Sequence, residues 1–298
     1  MCMTQVIIGE QNILYTLYTL YTLYTLYTLY TLYTLYNTIY TIYTIHTIYT
    51  RAFEQNELTE QEMRRIGLHF DAEKILFKRT MAELRGTVYT CDAALQYGIA
   101  CNLAGGTHHA HRSSGSGFCI LNDIAIAAKR ALSRPDVNSV LIYDADVHQG
   151  DGTATLFQDE PQVFTASLHC ESNFPFRKAK SDMDVALSAG MQDEEYLQIV
   201  RSSLDEAIQR SKPDLIIYDA GVDIAKEDKL GNLDISNAGI YRRDHYVLRA
   251  CVKDFKIPVA GLIGGGYGGD TVEGMESLAY RHSLLHRAAI DVTKDFLP

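Results

Sequence analysis

The chain predicts an α/β protein of three layers, with helices on both faces of a central, mainly parallel sheet, preceded by an N-terminal low-complexity tract. Three observations carry this. Short, almost wholly apolar runs recur at Val140 to Tyr143, Val163 to Leu168, Leu215 to Tyr218 and Val259 to Ile263. Each is too short and too apolar for a half-exposed strand, as expected of strands covered on both faces. Helical stretches intervene, and the runs end in acids, histidines or glycines, where open parallel sheets place their ligand sites.

In chain order the first element is anomalous. Leu14 to Thr50 contains no Asp, Glu, Lys or Arg and reads Leu-Tyr-Thr seven times, then as Ile-Tyr-Thr triplets, once with His46 in place of Tyr. A period of three suits neither a strand, both of whose faces would carry the same mixture, nor a helix, around which each residue type would wind. Two thirds of the tract is Tyr and Thr, which argues against a membrane span. High β-propensity without charge marks it as aggregation-prone. Residues 1–50 are therefore read as a low-complexity expansion or a gene-model error rather than an evolved domain, and 51–298 as the globular domain. In the latter, Thr59 with Glu62 forms a capping-box signature ahead of Met63 and Ile66, so a short helix starts there. Phe118 to Leu132, Glu194 to Arg210 and Ile240 to Phe255 read as further helices.

Composition narrows the function classes. With a formal charge of −10, bulk electrostatics give no support to a grip on nucleic-acid phosphates. A basic partner or a neutral small substrate fits better. The six cysteines are scattered without a C-x-x-C pair, which points to neither a disulfide framework nor a zinc knuckle. No basic region leads into a short apolar stretch and a small-residue cleavage site. The expectation is an intracellular, reduced protein, in cytoplasm or nucleus, without a secretion signal.

Four groups carry candidate chemistry. Gly105 to Ala110 holds the adjacent His108 and His109. Asp144-Ala145-Asp146-Val147-His148-Gln149-Gly150-Asp151-Gly152 follows a strand directly. So many carboxylates packed around one imidazole are costly without a partner, and a cation is the economical one. Asp146 and His148, two apart on extended backbone, would point the same way and share one metal. Asp223, after the run ending at Tyr218, would complete a set of two carboxylates and one imidazole with an open coordination position. A set of oxygen and nitrogen without thiolate leaves zinc, iron(II) and manganese(II) open. Gly264 to Gly269 lacks a following Lys-Ser/Thr, so it is not a phosphate loop. Its glycines let the chain turn tightly so that Tyr267 projects into the site.

With these residues in hand, the sequence resembles the zinc-dependent histone deacetylases and their bacterial acetylpolyamine and acetoin-utilisation relatives, on the arginase-deacetylase fold. The resemblance runs from about Glu57 to Leu285 and rests on GGTHHA (Gly105 to Ala110), SGFCILND (Ser116 to Asp123), YDADVHQGDG (Tyr143 to Gly152), AGVD (Ala220 to Asp223) and GGGY (Gly264 to Tyr267), in the family's order. Gln149, SDMDVAL (Ser181 to Leu187) and the stretch Gly221 to Ser236 look most like the class IV group.

The resemblance implies a metal-dependent amide hydrolase removing acetyl or longer acyl groups from lysine side chains. Acetylpolyamine or another small acyl-amine is the alternative substrate, and an inactive relative the alternative outcome. It makes Asp146, His148 and Asp223 the metal ligands, for zinc or iron(II). It makes His109, backed by Asp151, the general base and then acid, and His108, backed by Asp144, its electrostatic partner. Tyr267 would donate to the carbonyl oxygen, and Gly117, Phe118 and Phe174 would wall the tunnel for the lysine stem. Asp144, Asp146, His148, Ser167 and Leu168 would hold a structural potassium ion. Class IV members open with a strand and a loop that form part of the tunnel rim; here the repeat occupies that place, so the first strand is expected to be missing. Neither a membrane nor a nucleic-acid partner is expected, while acyl-lysine proteins, including histones, are.

Overall fold

Among the described residues six strands form one sheet in the order β1-β6-β5-β2-β3-β4, and every neighbouring pair is parallel. The computed structural model describes residues 52–55, 57–67 and 73–294; the Leu-Tyr-Thr tract and the expected loss of a first strand lie outside them. The strands are β1 (Ile99–Cys101), β2 (Val140–Asp144), β3 (Val163–Cys170), β4 (Met183–Leu187), β5 (Leu215–Asp219) and β6 (Val259–Leu262). The helices are α1 (Glu60–Ile66), α2 (Glu73–Tyr97), α3 (Asp123–Leu132), α4 (Asp151–Phe157), α5 (Asp193–Ser211), α6 (Asn237–Arg249) and α7 (Val272–Thr293).

Strand periodicity separates two cores. Leu141, Tyr143, Ile216 and Tyr218 face the helices α5, α6 and α7, packing with Tyr196, Val200, Ile240, Val247, Leu284 and Ala288. Their chain neighbours Val140, Ile142, Leu215 and Ile217 face the opposite way, against Met63, Leu84, Val88 and Ile124 of α1, α2 and α3. Both faces of β2 and β5 are fully buried, which is why these strands read as continuous apolar runs rather than alternating ones. Two of the buried tyrosines have hydroxyl partners: the Tyr143 hydroxyl lies 2.9 Å from Ser203 Oγ, and that of Tyr218 donates to Asp244 Oδ1 at 2.7 Å.

Topology places the site. From β2 the chain moves outward to β3 and β4, then returns to the other side of β2 to form β5 and β6. The winding reverses between β2 and β5, and the loops beyond their carboxyl ends diverge to leave a crevice. Those loops carry Asp146 to Asp151 and Ala220 to Asp223.

Several boundaries differ from expectation. The Thr59 capping box is present, with Thr59 N donating to Glu62 Oε2 at 2.7 Å and Glu62 N to Thr59 Oγ1 at 3.3 Å. The helix expected from Phe118 begins only at Asp123, because Asn122 caps it by accepting from Ala125 N at 2.8 Å and Phe118 adopts a left-handed φ of 64°. The stretch expected to run from Ile240 to Phe255 starts at Asn237 and changes at Ala250 to a wider π turn.

Candidate metal centre and active site

Beyond Asp144 the chain leaves the extended conformation, so Asp146 and His148 do not share a strand face as the spacing suggested. The bend itself brings them together. Asp146 N donates to Asp144 Oδ1 at 3.1 Å and His148 N to Asp146 Oδ1 at 2.9 Å, each carboxylate organising the next residue. The two loops are tied directly, since Val147 N donates to Asp223 Oδ1 at 2.9 Å. His148 Nδ1 then lies 3.2 Å from Asp146 Oδ1 and 3.0 Å from Asp223 Oδ2. One ligand atom from each of the three residues falls within 4.8 Å of the others, and all three residues are buried.

Two buried carboxylates at this separation require a shared positive charge. Burial and the neighbouring Asp146 push Asp223 up to about 7. Burial works against a charged His148, but Asp146 and Asp223 outweigh it and raise the imidazole to about 10. The same demand is met by a divalent cation, and hard oxygen donors with one imidazole nitrogen suit zinc or iron(II). The glycine loop accommodates this cluster closely: Gly265 N donates to Asp146 Oδ2 at 2.9 Å, and a side chain at Gly265 would put its Cβ 2.5 Å from Asp223 Oδ2. The donor set and its cradle fit a metal.

Beside the cluster stand two histidine-carboxylate pairs. His108 Nδ1 faces Asp144 Oδ2 at 2.8 Å, His109 Nδ1 faces Asp151 Oδ1 at 2.7 Å, and the two Nε2 atoms are 3.2 Å apart. Burial opposes a charge on His108, yet Asp144, Asp146 and Asp219 outweigh it and hold the imidazole well above its ordinary range. Burial, reinforced by the adjacent His108 charge, brings His109 down to about 4. These directions favour one arrangement of the protons. A charged His108 donates from Nδ1 to Asp144 and from Nε2 towards His109, while a neutral His109 donates from Nδ1 to Asp151 and keeps a lone pair on Nε2.

One histidine of the pairs, His109, and one residue of the cluster, His148, line a cleft of about 510 Å³ together with Gly117, Phe118, Phe174 and Tyr267. Phe174 packs edge-on against His109 at 4.9 Å, and Phe118 lies 5.8 Å from Tyr267. Gly117, at a φ of 53°, admits no side chain because its Cβ would collide with the His109 ring. Burial, with Asp146 and Asp223, raises the Tyr267 phenol, so it stays protonated as a donor. Ser167 and Leu168 lie buried on β3, with Ser167 in register with Asp144; Ser167 Oγ is 3.0 Å from His169 Nδ1.

Four contributors to the site were not singled out from sequence. Arg243, fully buried, donates to the carbonyls of Ala145, Ala220 and Gly221, clamping the two ligand loops together; in sequence it is one arginine of an ordinary-looking helix. Asp228 accepts from Tyr267 N at 2.6 Å. Asp219 is a third carboxylate beside His108, 3.7 Å from its Nδ1, and burial and Asp144 push it well above the usual carboxylate range. His108, Asp144 and Asp219 form a second group able to hold a cation among the described residues. The fourth, His111, stands in the same Gly105 to Ser116 loop as the paired histidines, a position that is its only signal.

Against known proteins, the model of the histone deacetylase domain matches residues 41–281. An uncharacterized protein of Picosynechococcus is 51% identical over 81% of this chain and 78% of its own length. Histone deacetylase 2 of Arabidopsis thaliana is 35% identical over 62% of this chain and 48% of its own. The acetoin utilization protein AcuC of Staphylococcus aureus is 33% identical over 70% and 58% respectively. Fold, site and domain match together define a deacetylase-type hydrolase domain. The chain belongs to the histone deacetylase family, and it spans about half the length of the Arabidopsis relative.

Proposed function

We propose that the chain hydrolyses the side-chain amide of acyl-lysine in proteins, with zinc held by Asp146, His148 and Asp223. The observation that carries this reading is the convergence of two histidines held by separate carboxylates, Tyr267 and the cluster of Asp146, His148 and Asp223 beside one aromatic-walled cleft. When bound, the metal supplies Lewis acidity, polarising the carbonyl and acidifying the attacking water. The remaining work falls to side chains. Phe118 and Phe174 flank the methylene stem, which an apolar slot holds without charge pairing. His109 Nε2 takes a proton from the water as its oxygen attacks the carbonyl carbon, and Asp151 holds the ring in the required tautomer. Tyr267 donates to the oxyanion that develops, and His108 contributes a fixed positive charge. The imidazolium of His109 then returns the proton to the amine nitrogen as the C–N bond breaks, leaving a carboxylate and free lysine.

Asp144, Asp146, His148, Ser167 and Leu168 are proposed to hold potassium beneath the site, and the class IV group is the proposed subfamily. An intracellular location fits the scattered cysteines, and among the described residues no helix is long and apolar enough to cross a membrane. The test is metal content together with turnover of the full chain on acetyl-lysine peptides, longer acyl-lysine peptides and acetylpolyamines. One zinc per chain and hydroxamate-sensitive release of acid from the peptides is the expected result. Turnover confined to the polyamines would replace the substrate class, and absence of turnover in zinc-loaded protein would overturn the reading.

A further inference from the structure

His111 lies two residues beyond His109, with Ala110 between them, and both imidazoles reach the same carboxylate. Asp151 presents Oδ1 to His109 Nδ1 at 2.7 Å and Oδ2 to His111 Nε2 at 3.3 Å. The other nitrogen of His111, Nδ1, is 2.8 Å from Thr155 Oγ1, and that hydroxyl is also 3.0 Å from the Gly152 carbonyl. A hydroxyl has one hydrogen to give. If it goes to Gly152, His111 donates from Nδ1 to Thr155, and Nε2 faces Asp151 Oδ2. If it goes to Nδ1, the neutral ring carries its hydrogen on Nε2. In both arrangements Nε2 is the nitrogen that faces Asp151.

The backbone around His111 is fixed from several sides. His111 N donates to Ser114 O at 2.9 Å, Asn122 Nδ2 to Ala110 O at 3.3 Å, and Thr153 N to His108 O at 3.0 Å. The histidine loop and α4 are thus tied together by hydrogen bonds, and the His111 ring is a quarter exposed. Without His111, Oδ2 of a carboxylate that is only a tenth exposed would lose this partner, and Asp151 could turn about its χ angles away from His109.

We propose that His111 is a positioning residue for the general base, locking Asp151 from the side opposite His109 so that Oδ1 stays aligned with His109 Nδ1. The proposal rests on the reading of His109 as the base, and it deepens that reading. It adds a third side chain to a pair, His109 with Asp151, that would otherwise be held only at one oxygen.

The experiment compares His111→Ala and His111→Gln with the parent chain, on the acyl-lysine peptide that the parent turns over, with His109→Ala as control. His111→Ala is expected to lower kcat about tenfold with KM unchanged, the scale at which outer hydrogen-bond partners act. His111→Gln, whose amide still donates to Asp151, should recover most of that loss. In proton NMR the downfield Nδ1–H signal of His109, sharp when its acceptor is fixed, should broaden in the Ala variant and sharpen again in the Gln variant. A folded His111→Ala protein with parental kcat and an unchanged His109 signal would overturn the inference while leaving the base assignment standing. So would a Gln variant no better than Ala. Full activity in His109→Ala would instead overturn the base assignment and this inference with it.

Discussion

His108 and His109 are chemically identical, adjacent in the chain and within hydrogen-bond distance of each other at Nε2, yet their surroundings drive them to opposite charge states. His108 sits deeper, with Asp144 at 2.8 Å, Asp219 at 3.7 Å and Asp146 at 3.8 Å, and three carboxylates outweigh burial. His109 has one bonded carboxylate, which it shares with His111, and a charged neighbour. Burial is the largest influence on both, and it is the number of acids within reach that decides the sign. Two equal pairs would compete for one proton. Unequal pairs place a cation beside an imidazole with a free lone pair, the division that the proposed amide hydrolysis needs.

The largest effect that would test this inequality is removal of the base. His109→Ala should lower kcat by about 10³-fold, within the range of a lost general acid-base catalyst, whereas His108→Ala, which removes a charge but no proton carrier, should cost about tenfold to a hundredfold less than that. Equal losses, read from steady-state kinetics on an acyl-lysine peptide, would mean that the pairs are interchangeable. A finer test leaves His109 in place and removes only its cationic neighbour, with His108→Asn. Losing that positive charge raises the pKa of His109, so the acid limb of kcat/KM, where His109 must be neutral, should move to higher pH by about one unit. A limb that stayed in place or moved to lower pH would show that His108 is not the charged partner.

How much of this inequality could be read from the chain differs residue by residue. The two-sided burial of β2 and β5 and the acids and histidine beyond their ends were legible because each local run carries its own signal: apolar continuity, then acids and a histidine. The pairing of His108 with Asp144 and of His109 with Asp151 entered only through family resemblance, since 36 and 42 residues separate the partners. Asp219 gave no sign of a role, because nothing local distinguishes a carboxylate beside His108 from the last residue of a strand. Arg243 was invisible for a similar reason: its three carbonyl partners lie some 22 to 98 residues away. Helix α2 and strands β1 and β4 were not anticipated, because β1 has three residues and is only half-buried, and β4 alternates too briefly to define a face. The start of α3 was misplaced because Phe118 to Leu121 are as apolar as the helix they precede, and only the Asn122 cap marks the true boundary.

The smallest predicted effect extends the comparison to a third imidazole. His169 on β3 is buried, but its hydrogen-bond partner is Ser167 rather than a carboxylate. Burial brings it down to about 4 despite the more distant Asp184, the outcome expected for His108 were its acids absent. The folded protein therefore keeps His169 neutral, while the unfolded chain takes up a proton below about 6.5, the ordinary value for histidine. Because the unfolded state binds more protons in this window, stability falls as pH drops from about 6.5 towards 4, by on the order of 3 kcal/mol at full effect, and does not change above it. Replacement of His169 by Gln, which keeps a polar atom for Ser167 but cannot titrate, should flatten part of the acid-side slope of Tm against pH and leave Tm near pH 8 within a few degrees of the parent. An unaltered acid slope would mean that His169 is already charged in the folded state, and that a buried histidine here does not need several carboxylates to hold its proton.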